Sequence, residues 1–147
     1  MKEIIEVYTD GSSLGNPGRG GWGVVFVISG KTIKELGGHD KNTTNNRMEL
    51  TSVIEALKYA IKSHAGSHII IHADSAYVLG GVTTWIHNWE KNGWRTANKK
   101  EVLNQDLWKE LISNVREFKG ELSWQKVKGH AGVEHNERAD VIATTYA

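Results

Sequence analysis

Cysteine is missing from the sequence, which excludes disulfide bonds and thiolate metal sites. Long apolar runs are missing as well: no stretch approaches the roughly 20 residues that a membrane-spanning helix needs, and the start Met1-Lys2-Glu3 is unlike a signal peptide. The formal net charge is only +1, so any contact with nucleic acid must come from a local cluster of charge. We therefore expect a cytoplasmic protein with no membrane partner.

What is present is ordinary for a globular protein. A chain of 147 residues can bury a substantial core, and its 39% apolar and 24% charged content lies in the usual range. We find no internal repeat, linker or low-complexity segment. We predict a single domain spanning residues 1–147, and because nothing indicates an obligate dimer we expect a monomer.

The first candidate functional residue is Asp10. Residues 4–9 are rich in Ile, Val, Tyr and Thr and predict a buried β-strand. That strand would carry the Asp10 carboxylate to its carboxyl end, where open α/β sheets keep their chemistry. Gly11 has no side chain and would let backbone approach whatever binds there. Taken alone, the Asp-Gly pair is more typical of a hairpin turn between two strands.

Periodicity and turn residues predict the remaining elements and one mixed sheet. A glycine-rich loop at 14–21 separates the first two strands, and the first three strands would form an antiparallel meander. The predicted elements, in order, are strands at 4–9, 22–28 and 31–38, a helix starting at the capping residues 44–46, a strand at 68–73, a helical region from Ala76, a helix capped by Asn104, a strand at 122–127 and a helix from near Asn136. This order, β-β-β-α-β-α-α-β-α, predicts the α/β class.

Three further acids lie at the ends of predicted elements. A strand reached through a helix is normally parallel to the previous one, so Asp74, which follows the strand at 68–73, would lie at the same sheet edge as Asp10. Glu49 lies in the first turn of the first helix, and Asp140 lies one turn into the last. Simpler explanations exist, since Asp74 could be a helix N-cap and Glu49 an acid near a positive helix end.

If the four acids meet, they indicate metal-assisted chemistry. Clustered carboxylates repel one another strongly unless cations lie among them. Oxygen ligands without any cysteine favour Mg²⁺ or Mn²⁺ over zinc. Two such ions about 4 Å apart would bracket a phosphodiester, one activating water and one stabilising the leaving oxygen.

Residues 85–100 leave two interpretations open. This segment contains three of the six tryptophans, Trp85, Trp89 and Trp94, among several lysines and an arginine. The four-residue spacing of Trp85 and Trp89 fits one face of a helix packed on the core. Aromatic side chains interleaved with cations also suit binding of a nucleic-acid backbone. The residues alone favour neither.

Together these motifs resemble type 1 ribonuclease H, the small bacterial ribonuclease H family. The matching pieces run through nearly the whole chain in family order: Tyr8-Thr9-Asp10-Gly11-Ser12, Leu14-Gly15-Asn16-Pro17-Gly18, residues 44–50, Asp74-Ser75 with Tyr77, residues 85–100, and residues 127–132 with Asn136-Glu137-Arg138 and Asp140. The resemblance implies a ribonuclease H-like fold, with a five-stranded mixed sheet whose first three strands are antiparallel and the remainder parallel, flanked by helices.

The implied activity is hydrolysis of the RNA strand of RNA–DNA hybrids, leaving 5′-phosphate and 3′-hydroxyl ends. Asp10, Glu49, Asp74 and Asp140 correspond to the family's metal-binding carboxylates, which implies Mg²⁺, with Mn²⁺ as a substitute, and two ions when substrate is bound. His130 corresponds to the family's mobile catalytic histidine, although by itself it is more typical of a solvated loop.

The resemblance also implies how the hybrid is recognised, through sugars and phosphates rather than bases, so that cleavage is largely independent of sequence. The implied contacts to the RNA side of the minor groove are the Gly11 backbone, Asn16, Asn45, Asn46 and Glu49, and Ser13 is a further implied substrate contact. Those to the DNA strand are Trp85, Trp89, Lys99 and Lys100. Thr44 and Asn104 match a pocket for a DNA phosphate.

Several positions depart from the family pattern. A minor-groove glutamine is replaced by Ala76, and the arginine of the phosphate pocket is replaced by Asn42, with Lys41 adjacent. Glu90 and Asn92 stand at positions of the basic segment where the family commonly has cationic residues. Because none of these changes touches the carboxylates, we expect intact chemistry with weaker, more salt-sensitive binding of the hybrid.

Two other functions fit the residues less well. One is a nuclease of the same fold class that cuts DNA, as integrases and resolvases do; Asn16, Asn45, Asn46 and the tryptophan-rich segment argue against it. The other is a module that binds hybrids without cutting them. Assays of matched DNA duplex, and of hybrid cleavage with Mg²⁺ or Mn²⁺, discriminate these alternatives.

Overall fold

The computed structural model describes residues 3–96, 100–127 and 134–147. Within these ranges the strands are β1 (Ile4–Ser13), β2 (Gly18–Ile28), β3 (Lys31–Thr43), β4 (His68–Ala73) and β5 (Glu121–Lys126). They form one sheet in the spatial order β3-β2-β1-β4-β5. The pairs β1–β2 and β2–β3 are antiparallel, whereas β1–β4 and β4–β5 are parallel. This confirms the predicted mixed sheet.

The described helices are α1 (Asn45–Ser63), α2 (Ala76–Gly80), α3 (Ile86–Lys91), α4 (Gln105–Glu117) and α5 (Glu134–Tyr146). A π-helical turn, Gly81–Trp85, joins α2 to α3, so residues 76–91 are one continuous helical segment. The order of elements agrees with the sequence pattern. Within the described ranges, no helix is both long and apolar enough to span a membrane.

The first two strands are longer than the sequence pattern predicts. β1 continues past Asp10 to Ser13, and β2 begins at Gly18, inside the glycine-rich stretch that we expected to be a loop. Two glycines of β2, Gly21 and Gly23, lie directly under α5, whereas Gly20 packs against Thr43 and Met48. A Cβ atom at Gly23 would lie 2.5 Å from the carbonyl oxygen of Ala139, so only glycine lets the helix come this close to the sheet.

Side chains of β2 alternate between two cores on opposite faces of the sheet. Val24 and Phe26 face the larger core, which α1 and α4 cover, whereas Val25 and Val27 face the smaller core under α5. This alternation is the two-residue periodicity of a strand. It places helices on both faces of the sheet, and it leaves the functional edge at the ends of β1 and β4.

Helix α1 is anchored by its cap and by its apolar face. The hydroxyl of Thr44 accepts a hydrogen bond from the backbone N–H of Arg47, which confirms the predicted capping. Leu50, Val53 and Leu57 are fully buried, and burial of each such side chain contributes about 1.5–3 kcal/mol. The start of α1 is therefore held firmly against β1. Glu49 lies in the second turn of the helix, not in the first turn where the sequence pattern placed it.

The helical segment 76–91 contacts α4 most closely at Gly81. A Cβ atom there would overlap the ring of Trp108, which is fully buried and cannot move aside. The preceding residue, Gly80, faces the ring of Trp85 instead, and a Cβ atom would come within 2.8 Å of it. Because Trp85 is 38% exposed, its ring has room to shift.

We predict that Gly81→Ala lowers the free energy of unfolding by about 1–3 kcal/mol, the usual cost of an extra methyl group in a packed interior. The matched control is Gly80→Ala. It should leave stability unchanged or raise it by about 0.5–1 kcal/mol, because alanine is the better helix former. Urea denaturation followed by circular dichroism measures both values. Equal stability of the two variants would contradict the packing described here.

Candidate active site

Three carboxylates meet where the parallel pairing of β1 and β4 ends. The last parallel pair is Thr9 with Ala73, so Asp10 and Asp74 are the next residues along the two chains. Glu49 of α1 joins them, and one carboxylate oxygen of each residue lies within 4.8 Å of the other two. The two Ile-rich strands thus bring their acids to one edge of the sheet.

Asp140 approaches the same group from α5. Its carboxyl interacts with that of Asp10 and raises the pKa of Asp10, although Asp140 does not belong to the group of three whose oxygens lie within 4.8 Å of one another. Asp10 and Glu49 are buried, whereas Asp74 and Asp140 are exposed. The four acids therefore form a cluster with one buried pair and one pair that faces solvent.

The backbone of Gly11 positions Glu49. Its N–H group donates a hydrogen bond to Glu49 Oε1. A Cβ atom at residue 11 would overlap the backbone of Met48 and Glu49, so glycine is required for α1 to lie this close to β1. The backbone of Met48 and Glu49 thus fills the space that a side chain would need, and the contact of the Gly11 backbone with substrate stays a prediction.

Ionisation of the buried pair is unfavourable in the absence of cations. Burial, followed by the neighbouring Asp140 and Asp74, raises the pKa of Asp10 to about 7. Burial and then the charge of Asp10 hold the pKa of Glu49 well above its ordinary range. Because the two carboxyls interact directly, they lose their protons as a pair, and burial keeps the pKa values of the pair above the ordinary carboxyl range.

The donor set suits a hard divalent cation. All four groups are carboxyls, which prefer Mg²⁺ or Mn²⁺ to softer metals. A divalent charge among them would favour the ionised forms and offset their repulsion. Asp10, Glu49 and Asp74 are close enough together to share one ion.

A second feature, a polar cavity of about 290 Å³, lies by the starts of α1 and α4. Its lining residues are Asn16, Thr44, Asn45, Asn46, Leu103 and Asn104. Two groups of predicted substrate contacts, those for the RNA side of the groove and those for a DNA phosphate, therefore line a single cavity.

Asn16 is oriented by its neighbours. Its Oδ1 accepts hydrogen bonds from the backbone N–H of Asn45 at 2.9 Å and from the hydroxyl of Ser13 at 3.2 Å. The amide oxygen is thus occupied, and the amide nitrogen is the group left to face a ligand. Sugar and phosphate oxygens accept such N–H donors.

Asn104 occupies the N-cap position of α4, but within the described residues its side chain makes no capping hydrogen bond. This corrects our expectation that Asn104 caps the helix. Its φ is 60°, in the left-handed region, whereas a capping residue normally has an extended backbone that aims its side chain at the first turn. The side chain instead bonds to Arg47 and Tyr77.

The tryptophan-rich segment contributes to both the core and the surface. Trp85 is exposed and Trp89 is half-buried, and their ring centroids lie 6.0 Å apart. Trp89 also packs edge-on against the fully buried Trp108, with centroids 5.3 Å apart. One ring therefore anchors the pair in the core, and the other presents an aromatic face to solvent.

The charged neighbours of this surface only partly follow the predicted pattern. Lys100 is exposed, whereas Lys99 and His130 lie outside the described residues. The negative charge of Glu90 is paired with Arg116 at 2.7 Å, and that contact lowers the pKa of Glu90. The pairing reduces the repulsion that Glu90 would exert on a nucleic-acid backbone.

Sequence reasoning assigned no role to three residues at or behind the cavity: Leu103 lines it, and Arg47 and Tyr77 bond to its lining residue Asn104. Arg47 forms a two-bond ion pair with Asp106, at 3.0 and 2.7 Å, and also contacts Asn104. Opposite charges near the starts of two predicted helices are a signal that could have indicated this pairing. We find no comparable signal for Leu103, an exposed leucine.

Comparisons with known proteins agree with this geometry. The family model described as RNase H matches residues 2–147. Ribonuclease H of Thermosynechococcus vestitus is 52% identical over 143 residues, which cover 97% of this chain and 88% of that protein. Among solved structures, LC9-RNase H1, a type 1 RNase H with the type 2 active-site motif, has a TM-score of 0.86 at 33% identity, covering 100% of this chain and 73% of the other. LC11-RNase H1 in complex with RNA/DNA hybrid shares the fold, with a TM-score of 0.72 at 23% identity and coverage of 96% and 94%.

We predict that Asp10→Asn stabilises the metal-free protein at neutral pH. Because the pKa of Asp10 is higher in the folded than in the unfolded state, ionisation of Asp10 opposes folding, and stability should fall as pH rises from about 4 to about 7. The shift from 3.8 to about 7 sets an upper limit of about 4 kcal/mol on this loss, at about 1.4 kcal/mol per pH unit.

Thermal denaturation in EDTA between pH 4 and pH 8 measures this effect. The wild-type melting temperature should decline across the interval and that of Asp10→Asn much less. Glu3→Gln, which removes an exposed acid, serves as the control and should follow the wild type. A less stable Asp10→Asn protein at pH 7 would show that the carboxylate has a structural role.

Proposed function

The chain belongs to the ribonuclease H family and is by that membership an endoribonuclease, and we propose that it hydrolyses the RNA strand of RNA–DNA hybrids, leaving 5′-phosphate and 3′-hydroxyl ends. The observation that carries the proposal is the convergence of Asp10, Glu49 and Asp74 within 4.8 Å, with Asp140 in contact with Asp10. A hydrolase of phosphodiesters needs such a carboxylate cluster to collect divalent cations.

The buried and the exposed carboxyls would have different roles in holding the metal ions. When bound, two Mg²⁺ ions, or Mn²⁺ in their place, would activate the attacking water and stabilise the leaving oxygen. Asp10 and Glu49 are buried and fixed by β1 and α1, so they define the inner side of the site. Asp74 and Asp140 are exposed and complete it on the side from which a phosphodiester approaches.

Recognition of a hybrid requires one strand with a 2′-hydroxyl and one without. The asparagine-rich cavity supports this proposal, because amide groups bond to sugar and phosphate oxygens without reading bases. The exposed ring of Trp85 supplies an aromatic surface for the DNA strand, against which a ribose hydroxyl would be poorly accommodated. The hybrid held by LC11-RNase H1, a protein of the same fold, fits the same substrate class.

We predict that the protein cleaves a labelled RNA–DNA hybrid with Mg²⁺, but neither duplex DNA nor duplex RNA, and that EDTA stops cleavage. Asp10→Asn should lower kcat by more than about a hundredfold. Changing a residue that only orients a metal ligand typically costs 10–100-fold in activity, and loss of the ligand itself should cost more. Gel analysis of the products also identifies the ends. Glu3→Gln is the matched control and should keep full activity.

Each alternative function would give a distinct result in this assay. Equal cleavage of duplex DNA would favour a DNA nuclease of the same fold class. Binding of the hybrid without cleavage in either metal, unaffected by Asp10→Asn, would favour a non-catalytic module.

His130 is proposed to assist proton movement or product release. His130→Ala should lower kcat by roughly a hundredfold, the lower end of the contribution of a general acid or base, while hydrolysis stays measurable and KM changes little. His39→Ala, at an exposed position on β3, is the control. Complete loss of turnover in His130→Ala would show that this role is wrong.

A further inference from the structure

Asn104 has both ends of its side-chain amide engaged. Arg47 Nη1 donates to its Oδ1 at 3.2 Å, and its Nδ2 donates to the hydroxyl of Tyr77 at 3.1 Å. A flipped amide would place its N–H donors against the donors of Arg47, which is unfavourable. The orientation of the amide is therefore fixed: its oxygen is used by Arg47, and an anion in the cavity that Asn104 lines would meet the N–H side.

The Tyr77 hydroxyl has its full hydrogen-bonding capacity used. It accepts from Asn104 Nδ2 and from Trp108 Nε1, the latter at 3.0 Å, and it donates to the carbonyl oxygen of Leu103 at 3.4 Å. A tyrosine hydroxyl has one proton and two acceptor positions. Two of its partners, Leu103 and Asn104, line the cavity, and the third, Trp108, is fully buried. The hydroxyl therefore ties the cavity wall to the core.

The backbone geometry of Asn104 explains why the hydrogen bond to Tyr77 matters. Asn104 has a left-handed φ of 60°, so its side chain is not held by a capping bond within the described residues. An asparagine released from Tyr77 would keep only the bond from Arg47 to its Oδ1, so its N–H side would no longer be held toward one position. The ring of Tyr77 also contacts Trp85, with centroids 6.1 Å apart, so the same residue adjoins the exposed aromatic surface.

We propose that Tyr77 is a positioning residue for the substrate: its hydroxyl holds the Asn104 amide so that an N–H donor meets a backbone phosphate of the DNA strand in the cavity. This inference rests on the proposed hybrid-cleaving function. Tyr77 acts through Asn104, and its hydroxyl does not contact the reacting atoms.

The test variant is Tyr77→Phe, which keeps the ring and removes the hydroxyl. KM for the hybrid should rise about three- to tenfold, the range expected for loss of one hydrogen bond, while kcat at saturating hybrid stays near the wild-type value. The melting temperature should also fall, because the buried Trp108 N–H loses its acceptor. Kinetics are therefore measured well below the melting temperature, with folding checked by circular dichroism. Tyr59→Phe, whose ring contacts Phe26 and His64, is the control and should leave KM unchanged.

A phosphate-specific measurement separates positioning from a general loss of stability. Hybrids are prepared with one neutral methylphosphonate linkage, moved stepwise along the DNA strand. In the wild type one linkage should raise KM more than the others. That penalty should shrink in Tyr77→Phe and vanish in Asn104→Ala, and the double variant should match Asn104→Ala, because coupled residues are not additive.

Each other outcome overturns the inference. Additive effects of Tyr77→Phe and Asn104→Ala, an undiminished penalty in Tyr77→Phe, or a wild type insensitive to every methylphosphonate would each exclude Tyr77 as a positioning residue for a phosphate. Failure of the wild type to cleave the unmodified hybrid would instead overturn the proposed function, so the two failures are distinguishable.

Discussion

The contact between α1 and β1 at Gly11 is the constraint on which the candidate active site depends. The Gly11 N–H bonds to Glu49, and no side chain can be accommodated between the two backbones. Leu50 and Val53, fully buried in the next turns of α1, hold the helix in this position. Glu49 is thus placed by rigid elements on both sides, which is the condition for precise ligand geometry.

This placement conflicts with stability. Two buried carboxyls side by side oppose folding once they ionise, as the raised pKa of Asp10 and that of Glu49 indicate. The large core beneath α1 and α4 supplies the stability that offsets this repulsion. Carboxyl groups are rarely buried, and exceptions to this rule are common at functional sites. Here the exceptions are Asp10 and Glu49, whose oxygens suit a divalent cation.

The sequence predicted those parts of the site that depend on local patterns. Two Ile-rich segments, each followed by an aspartate, were enough to place Asp10 and Asp74 at one sheet edge. Asn104 was misjudged because its left-handed backbone and its bond to Tyr77 depend on residues far away in the chain. The glycine-rich start of β2 was misjudged for the same reason, since Gly20 packs against Thr43 and Met48 and Gly21 packs against α5.

The start of α1, from its N-cap Thr44 to Glu49, links the two halves of the site. Thr44, Asn45 and Asn46 line the cavity, Arg47 bonds to the cavity residue Asn104, and Glu49 belongs to the carboxylate cluster. Residues so close together on one helix cannot change their spacing without unwinding it. In the proposed reaction, a strand bound at the cavity would therefore lie at a fixed distance from the carboxylates. The cut would then be positioned by the helix itself, and the proposed cleavage would depend on backbone geometry and not on bases.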